Sequence, residues 1–263
     1  MLTLRDTRYN DVRLTFKEDG HKYNDSFGNE YKSATTLLHE YKPEFDKQYW
    51  LKKKAQELHI SEKRLEKQWA DITKEACERG TNTHNGLEDG IKGSSMFKQA
   101  VQYMIRSNGE MITVADIPNI NMNIKELDIK EFIELTENKY PEIYNVFNYY
   151  TNRGYKIYSE IGAFLIDYLV SGTIDVLCIR DDQFVIGDWK TNRGGLKFES
   201  GYYKKDKKQI PHQLTDEWVT KRDTLLPPVN NLPDCNGSIY NLQLSLYAFM
   251  VESILGIPNA GLW

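Results

Sequence analysis

The chain has 263 residues and a mass of 30.7 kDa, with 40% hydrophobic and 27% charged residues. That composition excludes a fibrous or disordered chain, and no apolar run approaches the roughly 20 residues that span a bilayer. The formal net charge of −4 leaves no argument for a polyanion partner from overall charge, so such a partner must be met by local patches.

The N-terminal residues, Met1 to Phe16, lack the basic-then-apolar layout of a signal peptide, so a cytoplasmic protein with no membrane partner is expected. Residues 1–44 alternate short apolar stretches with the turn signals Asp19-Gly20 and Gly28-Asn29, which predicts a small N-terminal β element. Helical spacing of apolar residues over 45–59 and 61–78 predicts two helices, with Ser61 as N-cap and Gly80 just past the second. A third, short helix is predicted from Thr81 to about Gly90. Residues 110–127 show no steady period, whereas 128–152 read as one or two amphipathic helices interrupted at Pro141 and stopped by Gly154.

At Tyr155 the pattern changes to β-branched and aromatic runs, YKIYSEIGAFLI, VSGTIDVLCIR and QFVIGDWKT, which predict three adjacent antiparallel strands. A polar stretch from 194 to 237 reads as a long insertion without regular structure, and an apolar helix follows from Tyr240 to Leu255. A further strand is expected to begin where the sequence reaches Trp263. The expectation is a single α/β domain over 1–263. It has a β element at 1–44, a helical part at 45–154, and a core at 155–263 whose mixed sheet lies between the Tyr240 helix and the helices of 45–90.

The chemistry concentrates in the predicted hairpin. A two-residue turn at Asp181-Asp182 sets Asp175 opposite Asp188 and Thr173 opposite Lys190. Two carboxylates about 5 Å apart in apolar surroundings repel unless a cation or a proton lies between them, and a divalent Mg²⁺ or Mn²⁺ ion meets that need. A tight turn at Asp167-Tyr168 brings Glu160 opposite Asp175 as well. Lys190 is suited to orient an attacking water and to offset charge growing on a phosphoryl group. The three cysteines, Cys77, Cys178 and Cys235, are too few and too scattered for a metal cluster.

Four pieces in order carry a family resemblance. Gly172-Thr173-Ile174-Asp175 followed by Asp188-Trp189-Lys190 resembles the PD-(D/E)XK nuclease core. Gly80-Thr81-Asn82-Thr83-His84 with Glu88 resembles the GTxxH segment of the RecB-family nucleases, and Gln243-Leu244-Ser245-Leu246-Tyr247 resembles their QxxxY helix. Ser33-Ala34-Thr35-Thr36-Leu37-Leu38 is similar to an early segment of the phage exonucleases and of the mitochondrial genome maintenance exonuclease.

The resemblance implies a restriction-endonuclease-like core and a metal-dependent DNA exonuclease of recombination, repair or phage DNA processing, acting in the host cytoplasm if phage-encoded. It implies that Asp175, Asp188, the Trp189 carbonyl and His84 hold the metal and that Lys190 serves the water. Thr81, Glu88, Gln243 and Tyr247 are supporting or DNA-contacting residues, and Glu160 joins the catalytic set. DNA ends or single strands, with a single-strand annealing or binding protein, are the expected partners. The iron–sulfur branch of the family needs four cysteines, so no such cluster is expected. An endonuclease or resolvase on the same core, and a non-catalytic DNA-binding protein, also fit these motifs. Lys204, Lys205, Lys207 and Lys208, beside Tyr202 and Tyr203, form a patch suited to phosphates and base stacking. A second basic patch, Lys52-Lys53-Lys54 and Lys63-Arg64-Lys67, decorates the two early helices.

Overall fold

A computed structural model describes residues 2–4, 12–17, 22–93, 133–134, 136, 140–192, 195–206 and 213–263. Its strands are β1 (Leu2–Leu4), β2 (Leu14–Lys17), β3 (Lys22–Asp25), β4 (Glu30–Ser33), β5 (Lys156–Leu165), β6 (Val170–Arg180), β7 (Gln183–Gly187), β8 (Gly201–Asp206), β9 (Gln213–Thr220) and β10 (Asn259–Leu262). The helices are α1 (Ala34–His39), α2 (Lys47–Leu58), α3 (Glu62–Gly93), α4 (Pro141–Thr151) and α5 (Asn236–Leu255). These elements fall into two compact units, one drawn from Met1–Leu37, His84–Trp189 and Leu242–Trp263, the other from Leu38–Thr83 and Lys190–Asn241. No helix among the described residues is long and apolar enough to cross a membrane.

The first unit is organised by β6, whose eleven residues are nearly all buried. Along one edge it pairs antiparallel with β5, from Leu165↔Val170 to Lys156↔Ile179. The other edge is shared. Lys32 and Ser33 of β4 run parallel beside Val170 and Ser171, while β7 runs antiparallel beside Val176 to Arg180. Between those two partners lie Gly172 to Asp175, so the sheet forks at the sequence that carries the predicted site. The three antiparallel strands and the register of both hairpins agree with expectation. The β5–β6 turn is longer than the tight turn predicted, a 3₁₀ turn at Ile166–Tyr168 closed by Leu169 with φ 47°.

The N-terminal strands are more than a separate hairpin. β2, β3 and β4 form an antiparallel run that joins the central sheet through β4, and β1 pairs parallel with β5. β10, which pairs parallel with β7, was not expected: it ends at Leu262, just before Trp263, where a further strand was expected to begin. The result is a mixed eight-stranded sheet with helices on its faces.

One irregularity matters for the site. Glu160 has φ 54°, and the β5–β6 ladder passes from Ser159↔Val176 to Ile161↔Ile174 without a Glu160–Asp175 pair. Alternation slips by one residue there on both strands. Tyr158, Ile161, Ala163 and Leu165 share one core with Ile174, Leu177 and Ile179, while Ile157, Val176 and Cys178 belong to the core on the opposite face. Two facing residues leave the pleat together, so the register survives and the faces exchange.

The first core is closed by α5 through Leu244, Tyr247, Ala248, Met250, Val251 and Ile254. Each such side chain, when fully buried, contributes about 1.5–3 kcal/mol. The opposite face is covered by Phe147 of α4 and Leu87 of α3, together with Tyr155 and Trp189. The 45–90 stretch, expected on this face, contributes Leu87 to it, and α4 adds Phe147 with Ile143, Val146 and Tyr150.

Three helix boundaries depart from the sequence reading. Gly80 does not end a helix: α3 runs unbroken through Gly80 and Gly90 to Gly93, and no separate helix opens at Thr81. A glycine inside a helix costs about 1 kcal/mol relative to alanine and does not by itself break it. Pro141 opens α4 at its first turn, where a missing N–H costs nothing, and Gly154 with φ 80° follows its end. α5 starts at Asn236, four residues before Tyr240, with Gly237 inside it. A Cβ at Gly237 would lie 2.5 Å from the Lys197 carbonyl oxygen, which explains the glycine.

In the second unit, α2 is capped by the Asp46 carboxylate, which accepts the Tyr49 N–H at 2.9 Å, and Ser61 caps α3 as predicted. Leu51, Ala55 and Leu65 form its small core with Leu58, Ile60 and Trp69 around them. The 194–237 stretch is not structureless. β8 and β9 form an antiparallel hairpin with a bulge between Tyr203 and Lys205, and Tyr203 packs edge-on against Trp218 at 5.0 Å. Gly201 is required there, since a Cβ would fall 2.3 Å from the Val219 carbonyl.

Candidate metal centre

Asp175 and Glu160 leave their ladder at the fork of the sheet, and His84, on α3, meets them there. The ligand atoms of His84, Glu160 and Asp175 all lie within 4.8 Å of one another. His84 places Nδ1 3.5 Å from Asp175 Oδ2 and Nε2 3.0 Å from the Trp189 carbonyl oxygen. Neutral imidazole has one N–H, so either tautomer leaves the other ring nitrogen's lone pair against an oxygen. A second ring proton or a shared cation removes that clash.

Asp175 is 9% exposed and is held from several sides. Its Oδ2 accepts the Trp189 N–H at 2.8 Å, and its backbone carbonyl accepts the Ser159 hydroxyl at 3.1 Å. The β6–β7 ladder ends at Val176↔Gly187, one step before the predicted Asp175–Asp188 pair. Beyond that point the backbone of Asp188 turns to β10 and donates its N–H to the Trp263 carbonyl at 3.1 Å, while Trp189 is tied to the Asp175 carboxylate. The Trp189 ring is fixed between Phe147 and Trp263 at centroid distances of 6.3 and 5.4 Å, which sets the carbonyl that faces His84.

Two tyrosines wall the same region. The Tyr247 ring lies on the bare backbone of Gly172, where a Cβ would come within 2.6 Å of Cε1, and Gln243 Nε2 donates to the Tyr247 hydroxyl at 3.3 Å. The glycine of the strand motif and the Gln-x-x-x-Tyr helix thus explain one another. Burial pushes the Tyr247 hydroxyl well up; the Gln243 hydrogen bond opposes this, and the charges of Asp188 and Asp175 add to it. Tyr247 therefore remains an O–H donor at neutral pH. Tyr23 of β3 is also shifted up, by burial first and by the charge of Glu160, against a hydrogen bond with Thr173.

Of the residues singled out in sequence, His84, Glu160, Asp175 and the Trp189 carbonyl converge, and Gln243 with Tyr247 packs beside them. Asp188 is half-buried. The Lys190 ammonium stands 4.6 Å over the Tyr240 ring. Thr81 is exposed on α3. Lys204 is paired with Glu217, and Lys205 is exposed. Lys207, Lys208 and the Glu88 side chain lie outside the described residues. Sequence reasoning missed Ser159, Tyr23, Thr173 as the partner of Tyr23, and Trp263 as the anchor of Asp188. No motif marks these residues, because each acts through a tertiary contact.

The converging groups are one imidazole and two carboxylates, with the Trp189 carbonyl against the imidazole; the Asp188 carboxylate, expected to join them, is not in this group. Hard oxygen donors with a single nitrogen suit Mg²⁺ or Mn²⁺ and offer no thiolate for a softer metal. The three cysteines are free thiols on α3, β6 and the residue before α5. Compared with protein-family models, with curated proteins and with solved structures, the chain matches none of them.

Proposed function

We propose that the chain is a metal-dependent DNA exonuclease of the PD-(D/E)XK type, similar to the RecB-family branch, that hydrolyses phosphodiester bonds. The observation that carries this reading is the convergence of His84, Glu160 and Asp175 at the fork of the sheet, on the strand motif that the family resemblance singles out.

Asp175, Glu160, His84 and the Trp189 carbonyl, with Asp188, are the residues that would hold Mg²⁺ or Mn²⁺. Such an ion supplies Lewis-acid polarisation of a phosphoryl oxygen and lowers the pKa of a bound water. The residues of the chain do the rest. Lys190, two positions after Asp188, orients the attacking water and offsets the charge that grows on the phosphoryl group. Tyr247, kept as a neutral O–H, accepts the Gln243 Nε2–H and so holds Gln243 in place. The Trp189 N–H fixes the Asp175 carboxylate against rotation, and the Ser159 hydroxyl holds the Asp175 backbone carbonyl. The substrate is DNA, at ends or in single strands, and a single-strand annealing or binding protein fits as a partner in recombination, repair or phage DNA processing.

The test is digestion of end-labelled linear DNA and of covalently closed circular DNA with Mg²⁺, Mn²⁺ or EDTA, using wild type, Asp188→Ala and Lys190→Ala. Metal-dependent loss of the linear DNA alone, absent in both variants, is expected. Cutting of the circle would replace the exonuclease with an endonuclease or resolvase, and DNA binding without cutting would make the chain a binding module. Calorimetry gives a readout apart from turnover: Mn²⁺ affinity should fall in the Asp175→Asn/Asp188→Asn double variant.

A further inference from the structure

We propose that α2 of the second unit carries a base-stacking platform for single-stranded nucleic acid. The inference rests on the reading that the substrate is DNA and adds which form of DNA the chain holds. Tyr49 and Trp50 stand side by side on α2, their rings edge to face at 5.3 Å, and Tyr49 is 53% exposed. Phe45, just before the helix, is 64% exposed. Large rings left in water at one place on a small unit call for a partner with apolar faces.

Lysines frame these rings. The Lys53 ammonium lies 4.9 Å from the Trp50 centroid and 5.5 Å from that of Tyr49, and Lys54 lies 5.7 Å from Trp50. α2 holds four lysines against one glutamate, in a chain whose total charge is negative. Lys47 and Lys54 are paired with Glu66 and Glu57, whereas Lys52 and Lys53 make no ion pair among the described residues. The carboxyl of Glu57 is lowered first by its hydrogen bond from Lys54, and then by the charges of Lys54, Lys53 and Lys205. That places Lys205 of the β8–β9 hairpin in the same electrostatic neighbourhood. Lys204, by contrast, is committed to Glu217.

Aromatic faces interleaved with cations meet both halves of a nucleotide, the base by stacking and the phosphate by charge. Stacking needs a base whose face is open. A duplex keeps its bases stacked on one another and would offer these rings only its phosphates, so the exposed rings select the single strand. An acidic peptide would satisfy the lysines and leave the rings uncovered.

Fluorescence anisotropy in EDTA tests this without cleavage, using labelled oligo-dT and a duplex of equal length at several salt concentrations. The expected result is tighter binding of the single strand. Tyr49→Ala and Trp50→Ala should each weaken it roughly tenfold, with the duplex unaffected and Trp50→Phe restoring most of the loss. Lys53→Ala should reduce the salt slope by about 0.7. Trp50 is half-buried, so circular dichroism accompanies its variant, and exposed Tyr49 keeps the test decisive if Trp50→Ala unfolds. Equal binding of both forms, indifference to Tyr49→Ala, binding of neither, or competition by polyglutamate as effective as by oligo-dT would overturn the platform. Because no metal is present, these outcomes are independent of whether the first unit cuts DNA.

Discussion

Two antiparallel hairpins in this chain differ in almost everything except topology. β6–β7 is apolar on both faces, and its ladder keeps one register from Arg180↔Gln183 to Val176↔Gly187 around the two-residue turn Asp181-Asp182. β8–β9 mixes tyrosine, lysine and glutamate, exposes much of its surface and shifts register at a bulge. Where both faces are buried, a slip of one residue would exchange every side chain between two packed cores, so register is pinned. Where most residues meet water, a slip costs little. The proposed metal centre, whose coordination would tolerate errors of only tenths of an ångström, takes Asp175 from the first hairpin. The proposed stacking platform, which would tolerate far more, lies in the second unit.

The sharpest test of that contrast is Asp175→Asn, which removes a charge from the pinned hairpin. We expect metal-dependent cleavage to fall on the order of a thousandfold and the rise in Tm on adding Mn²⁺ to disappear, with the apo protein still folded. Matched glycines probe the two hairpins next. In Gly172→Ala the new methyl meets the Tyr247 ring in a closed core, and a loss of about 2–3 kcal/mol should appear in urea denaturation. In Gly201→Ala the clash is with the Val219 backbone in an exposed hairpin. The carbonyl cannot move aside as a side chain can, so the hairpin itself must give: amide exchange across β8–β9 should accelerate strongly, while the global Tm falls by less than in Gly172→Ala. Equal global losses from both glycines would erase the distinction between the hairpins. The smallest effect is a gain. Gly80→Ala should stabilise by about 0.5–1 kcal/mol, because α3 is continuous there and the methyl would meet only the Thr191 hydroxyl, at 3.4 Å. A lower Tm would mean that Gly80 marks a break after all.

The hairpin register, the order of the three core strands and the approach of Glu160 to Asp175 were legible in sequence because strands buried on both faces read as apolar, β-branched runs and the short polar turns between them set the pairing. Three things were not. The single helix from Glu62 to Gly93 was hidden by Gly80, since local propensity marks a glycine as a stop while packing lets the helix continue. The β8–β9 hairpin was hidden by its polarity, because a strand without a buried face has no apolar alternation. The fork between β4 and β7 was hidden because β4 and β6 lie far apart in the chain, and nothing local reports a parallel pairing. Tyr23 and Ser159 fall under the same rule as the fork: their roles exist only once distant strands meet.

Glu160 holds a left-handed backbone, φ 54°, in the middle of a strand. For a residue with a side chain this costs about 1–2 kcal/mol that glycine would not incur. On the proposed reading, stability and chemistry therefore pull this position in opposite directions: Glu160→Gly relaxes the backbone and deletes a carboxylate from the candidate metal centre. If the proposed function holds, a library selected for heat resistance alone would enrich glycine at position 160 and return hardier proteins without activity. Selection for thermostability in this chain has to carry an activity screen beside it.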